Sequence, residues 1–123
     1  MTKEGGEPYI QFFEGNNATQ LNVGGTRFEP GKSYNFKKTG KFKNDEARSM
    51  EFNFLPVGAK ISVWDNPDGK TNDCWTEIIV KKCVLRYVVP TFEHSYEDSI
   101  VRVIYHAGNG LDGKVSRLEM SMQ

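Results

Sequence analysis

A chain of 123 residues with 16 basic and 16 acidic side chains is long enough for one core that buries roughly two thirds of its unfolded surface. It has no net field to draw in nucleic acid or an anionic membrane, so neither is expected as a partner. The first twenty residues hold no signal-like apolar stretch and no apolar run approaches the ~18 residues that span a bilayer, so the expected location is cytoplasmic, or secreted if a leader has been removed.

Residues 1–8 read as a loose polar lead-in. Tyr9 to Glu14 carries Tyr9, Phe12 and Phe13 on a short strand, Gly15-Asn16-Asn17 is turn chemistry, and Thr19 to Val23 returns with Leu21 and Val23 on one face, which makes a hairpin. Gly24-Gly25 breaks that second strand, and Thr26 to Ser33, with Pro30-Gly31 inside it, crosses over. Tyr34-Asn35-Phe36 follows as an aromatic anchor. Lys37, Lys38, Lys41 and Lys43 form a basic cluster that could hold an anion, but it reads better as a solvated loop neutralised by Asp45 and Glu46.

Asn44 to Ser49 is a polar arch that runs into a strand with period-2 alternation: Met50, Phe52 and Phe54 on one face, Glu51 and Asn53 on the other. After the Leu55-Pro56-Val57-Gly58 turn, Ala59 to Trp64 alternates again with Ile61 and Val63 inward. Asp65 to Asp73 is a polar loop that lacks EF-hand spacing and a closing bidentate glutamate, so it reads as a plain turn.

Cys74 to Val80 and Cys83 to Val89 are rich in β-branched residues and stop at Pro90. On one extended strand the two cysteines would lie about 30 Å apart, well beyond bridging distance; a disulfide needs a turn near Val80-Lys81-Lys82, and two reduced, partly buried thiols are expected. Phe92 to Asp98 is a second polar arch. Ser99 to Tyr105, with Ile100, Val101, Val103 and Ile104, is expected to be a core strand covered on both sides. Asn109-Gly110 and Asp112-Gly113 are turn dipeptides, after which Lys114 to Met120 returns as a short edge strand or a loosely packed tail. No segment has sustained helical period, and short strands at close spacing predict an all-β sandwich. Its expected core includes Phe12 or Phe13, Tyr34, Phe36, Met50, Phe52, Phe54, Ile61, Val63, Ile100 and Val103.

Hairpin, crossover, arch and a strand opening at Ser49 are followed by the same order with a strand opening near Ser99, a weak repeat of about fifty residues. Two such units resemble the βγ-crystallin family, two Greek-key motifs forming a sandwich. In microbial members the arch reads Asn/Asp, Asn/Asp, two free positions, Ser/Thr, Ser, then an alternating apolar strand. Here Asn44, Asp45, Ser49, Met50 and Phe52 match, Arg48 stands in the Ser/Thr position, and Tyr34-x-Phe36 and Ile61-x-Val63-Trp64 follow the family's order of landmarks. The second arch, taken as His94 to Ser99, keeps Ser99 but has His94 and Ser95 where two Asn/Asp residues are expected. The resemblance implies a domain over 9–106, with keys at about 9–55 and 59–105 and a C-terminal hairpin or tail over 107–123.

It also implies a calcium site at the first arch, with Asn44, Asp45, Glu46 (through its carbonyl) and Ser49 as its residues. Calcium wants six to eight oxygens, and Arg48 offers none. A like charge at ~4 Å costs around 4 kcal/mol per unit-charge pair at surface-like dielectric, so calcium binding is expected to be weak or absent. Arg48 would instead pair with Asp45 or Asp98. No catalytic constellation stands out: His94 and His106 read as surface residues, and Glu93, Glu97 and Asp98 near His94 as a solvated arch. The expected function is a non-enzymatic structural or stress- and development-associated protein, a monomer without a certain cofactor. The alternatives are a protein-interaction module of inhibitor, toxin or adhesion type, or a calcium sensor or buffer.

Overall fold

The computed structural model describes residues 7–69, 74–106 and 114–123. Their regular structure is all β: β1 (Tyr9–Gly15), β2 (Thr19–Arg27), β3 (Ser33–Asn35), β4 (Ser49–Asn53), β5 (Ala59–Trp64), β6 (Trp75–Val80), β7 (Tyr87–Val89), β8 (Tyr96–Glu97), β9 (Val101–His106) and β10 (Arg117–Met122). They form two sheets of antiparallel pairs, one in the order β2-β1-β4-β7, the other β3-β10-β5-β6-β9-β8. The expectation of an all-β protein holds. Inward residues of both sheets, among them Ile10, Phe12, Met50 and Phe52 from the first and Ile61, Val63, Ile78, Val103, Leu118 and Met120 from the second, form one buried cluster. Period-2 alternation produces this layer, since each strand sends every second side chain inward.

Each sheet borrows a short strand from the other half of the chain. β1, β2 and β4 lie together, yet β3, which sits between β2 and β4 in sequence, pairs with β10 in the other sheet. Conversely β5, β6 and β10 lie together while β7 crosses to pair with β4. β8 and β9 extend the larger sheet beyond β6.

Several expectations are corrected here. The segment 114–120 is neither an edge strand nor a loose tail: β10 is paired on both sides, to β3 and β5, and Val115, Leu118 and Met120 are buried. The last strand next to β5 is therefore β10, and the sheet draws in residues beyond the expected 106 boundary. β9 lies near an edge, and Arg102 on it is exposed, so it is not covered on both faces. Phe54 leaves the strand with φ +58° and is only partly buried, while Leu55 takes its place in the core. Tyr34 and Ile100 are likewise partly buried. The turn dipeptides Asn109-Gly110 and Asp112-Gly113 lie outside the described residues.

Gly24-Gly25 does not end β2, which continues to Arg27 through a register shift opposite Phe12 and Phe13. Gly24 has φ +143°, and a Cβ there would meet the Lys41 carbonyl and the Phe42 ring, each at 2.5 Å. Only glycine lets the 41–43 loop close against β2, where Gly24 bridges Phe42 and Lys43 N–H donates to the Val23 carbonyl at 2.9 Å. That closure seats Phe42 in the core. It stacks on Phe36 at 4.4 Å, and both rings meet Phe12.

Candidate functional site

The arch 44–49 lies where the two halves of the chain meet. Ser49 is fully buried, and its hydroxyl donates to the Gly15 carbonyl at 2.6 Å while accepting from Ala18 N–H at 2.9 Å. Asn17 and Ala18 both have positive φ, so one hydroxyl at the start of β4 pins the tight β1–β2 turn. Asp45 has φ +61°, a conformation that Asp tolerates better than most residues. Its N–H donates to the Val115 carbonyl at 3.1 Å, and its carboxylate accepts from the Ser116 hydroxyl at 3.0 Å. The first arch is thus bonded to the segment that starts β10.

Backbone pairing identifies the counterpart of each arch residue. Arg48 N–H donates to the Phe13 carbonyl at 2.8 Å just before the pair Phe13–Ser49; Ser116 N–H donates to the Trp64 carbonyl at 2.7 Å just before the pair Trp64–Arg117. Ser116 is therefore the second half's equivalent of Arg48, and Val115 of Ala47, both fully buried. By this register the described segment 114–116 stands to β10 as 46–48 stands to β4, a relation that 94–99 does not share. The signal for this relation was in the sequence: Asp112 and Ser116 repeat the four-residue offset of Asn44 and Arg48, and Leu118 and Met120 repeat the alternation of Met50 and Phe52.

Of the expected site residues, Asn44 and Glu46 are half-buried, Asp45 is exposed and Ser49 is buried. The structure brings Asp45 to Ser116, which had no expected role, while Ser49 is committed to the hairpin turn. The Asn44 side-chain oxygen is buried without a hydrogen-bond partner among the described residues. Arg48 is exposed and makes no ion pair among the described residues, so the expected pairing with Asp45 or Asp98 does not form. Among the described residues no three His, Cys, Asp or Glu side chains cluster as a metal-binding group. Among the described residues, the chemistry this junction shows is hydrogen bonding between one carboxylate, that of Asp45, and the Ser116 hydroxyl.

The segment 94–99 has a different task. Asp98 accepts from Tyr87 Oη at 2.7 Å and from the Ile100 and Val101 amides at 2.8 Å each, and Tyr87 and Tyr96 share a hydroxyl bond of 2.8 Å. Burial and then these bonds raise the Tyr87 phenol far above its usual range. Burial works against the Asp98 carboxylate, but the Tyr87 hydroxyl and the two amides outweigh it and hold the group below its ordinary value. Glu97 pairs with Lys81 at 2.7 Å. These bonds tie the added β8–β9 hairpin to β7 across the two sheets, and Glu97 and Asp98 are thereby committed to structure.

His106 sits on the outer face of the larger sheet. It stacks on Trp75 at 3.9 Å, Trp75 stacks on Trp64 at 4.3 Å, and His106 Nε2 lies 2.7 Å from Glu77, which also pairs with Lys60 at 3.0 Å. Burial opposes ionisation of Glu77, yet His106 and Lys60 together keep its carboxyl below the usual range. Cys74 is buried and Cys83 exposed, and both are free thiols. Compared with protein-family models, curated proteins and solved structures, the chain matches none.

Proposed function

We propose that this chain is a non-enzymatic βγ-crystallin-like protein with a structural, stability-type role, its two sheets being two interlocked Greek keys. The observation that carries the reading is the reciprocal exchange of short third strands: β3 leaves β1, β2 and β4 for the other sheet, and β7 leaves β5, β6 and β10 in return. An exchange of this kind makes each half depend on the other, which suits a protein whose task is to persist rather than to turn over substrate. The Ser49-locked hairpin is a second support, since it gives a physical reason for a serine at the end of the arch.

A calcium-binding reading has one specific observation in its favour, the pairing of Asp45 from the first arch with Ser116 next to β10, beside the Asn44 oxygen, which has no partner among the described residues. One carboxylate and two neutral oxygens fall well short of the six to eight oxygens that calcium takes, so affinity is expected in the millimolar range or weaker. Calorimetric titration of the parent, Arg48→Ser and Asp45→Ala tests both readings. The structural reading expects little heat from the parent, stronger binding in Arg48→Ser, and no further loss in Asp45→Ala. Micromolar binding by the parent that Asp45→Ala abolishes would replace it with a calcium-responsive function.

A further inference from the structure

We propose that the face carrying Lys32, Lys37, Lys38, Lys41 and Lys43 is a docking surface for an anionic phospholipid membrane. Residues 30–43 hold five lysines and no acid, in a chain whose net charge is zero. All five side chains are exposed, and none makes an ion pair among the described residues. None of these lysines forms an ion pair with Asp45 or Glu46, and the Asp45 carboxylate accepts from the Ser116 hydroxyl instead. Net charge is a poor guide to such a surface, because the Debye length at physiological salt is about 8 Å and acids farther away than that are screened from it, although Glu119 lines the same cleft as Lys32.

The fold brings Lys32 and Lys41 together and fixes the backbone that carries the other three. The Lys32 and Lys41 ammoniums lie 5.8 and 5.7 Å from the centre of the same Tyr34 ring. The Asn35 side chain and carbonyl cap Lys37 N–H and Lys38 N–H at 2.9 and 3.0 Å, and Gly24 lets the loop carrying Lys41 and Lys43 close on β2. The aromatic neighbours are unavailable for stacking: Phe36 and Phe42 are buried, and Tyr34 packs on Phe42 with both lysines beside it. A single-stranded nucleic acid, which gains much of its affinity by stacking on open rings, finds no platform here. A fluid bilayer needs none, since its anionic headgroups rearrange laterally to meet independent ammoniums, and four to eight clustered basic residues suffice for such attraction.

The test is co-sedimentation of the full chain with vesicles of phosphatidylcholine alone and of phosphatidylcholine with phosphatidylserine. Association is expected with the anionic vesicles only, and is expected to vanish near 1 M salt, where the Debye length falls to about 3 Å. Each lysine at a membrane surface contributes about a fivefold factor, so Lys38→Gln/Lys41→Gln should weaken binding on the order of 25-fold. The charge-matched variant Lys82→Gln/Arg102→Gln, whose exposed residues lie by β9 towards the opposite edge of the sheet from β3, should bind within about twofold of the parent. Thermal melts of both variants establish that they fold. No association at low salt, or equal losses in the two variants, would each overturn the proposal.

Discussion

The two halves of the chain use their strands in the same way and space them differently. In the first half β1 to β4 follow one another directly, whereas in the second half the hairpin β8–β9 is inserted between β7 and β10. The inserted hairpin begins with a polar arch, a serine and an apolar run, features that mimic the start of the true last strand. Local pattern misleads here, because the run Ile100, Val101, Val103 and Ile104 is the more apolar of the two and both segments are preceded by turn residues. Pairing partner separates them: β10 lies between β3 and β5, while β9 extends the far side of β6.

The sharpest way to break this comparison is to truncate the last strand of each half. Phe52 and Leu118 are both fully buried. Phe52→Ala should cost about 3–5 kcal/mol and Leu118→Ala about 2–5 kcal/mol in urea unfolding. A cost below about 0.5 kcal/mol at Leu118, the size expected of a surface substitution, would return the C-terminal segment to a loose tail and undo the equivalence of β4 and β10.

A smaller effect distinguishes the two arch hydroxyls. Ser49→Ala strands the Gly15 carbonyl and the Ala18 amide in a buried setting and should cost about 1–3 kcal/mol, because unmade buried hydrogen bonds forfeit desolvation as well as the bond. Ser116→Ala removes a bond to an exposed carboxylate and should cost about 0.5–1.5 kcal/mol. Equal losses by thermal or urea melts would mean that the two arches are locked alike.

The inserted hairpin can be probed by pH. Asp98 has a folded-state value below its unfolded one, so its contribution is present above the ordinary carboxylate value near 3.8 and is lost as pH falls through the lowered folded value. The protection of the β8 and β9 amides, relative to their intrinsic exchange at each pH, should therefore fall on acidification below about pH 4 in the parent. In Asp98→Asn that protection should be low already at neutral pH and respond less to acid. If the hairpin amides stay protected in that variant, the tyrosine–aspartate bonds are not what holds it.

Thiol reactivity gives the mildest contrast. In native protein Cys83, at an exposed turn, should react with a thiol reagent at once, and Cys74, fully buried on the core side of the larger sheet, only on unfolding. Two thiols of equal native reactivity would mean that the β5–β6 connection opens readily.

The strand class, the inward residues Phe12, Met50, Phe52, Ile61 and Val63, and the arch at Asn44 to Ser49 were legible in the amino-acid sequence, because each rests on alternation or turn chemistry within a few residues. Phe28, Phe42 and Phe92 are buried from outside the regular strands, so no periodicity announces them. The pairing of Asp45 with Ser116 joins residues 71 apart and depends on which strand lies beside β5. Strand order, the counterpart of each arch residue and the unpaired state of the lysines were decided by tertiary structure alone. Hydrogen bonds between strands and ions between loops form by proximity in space, and a net charge or a local pattern holds no record of it.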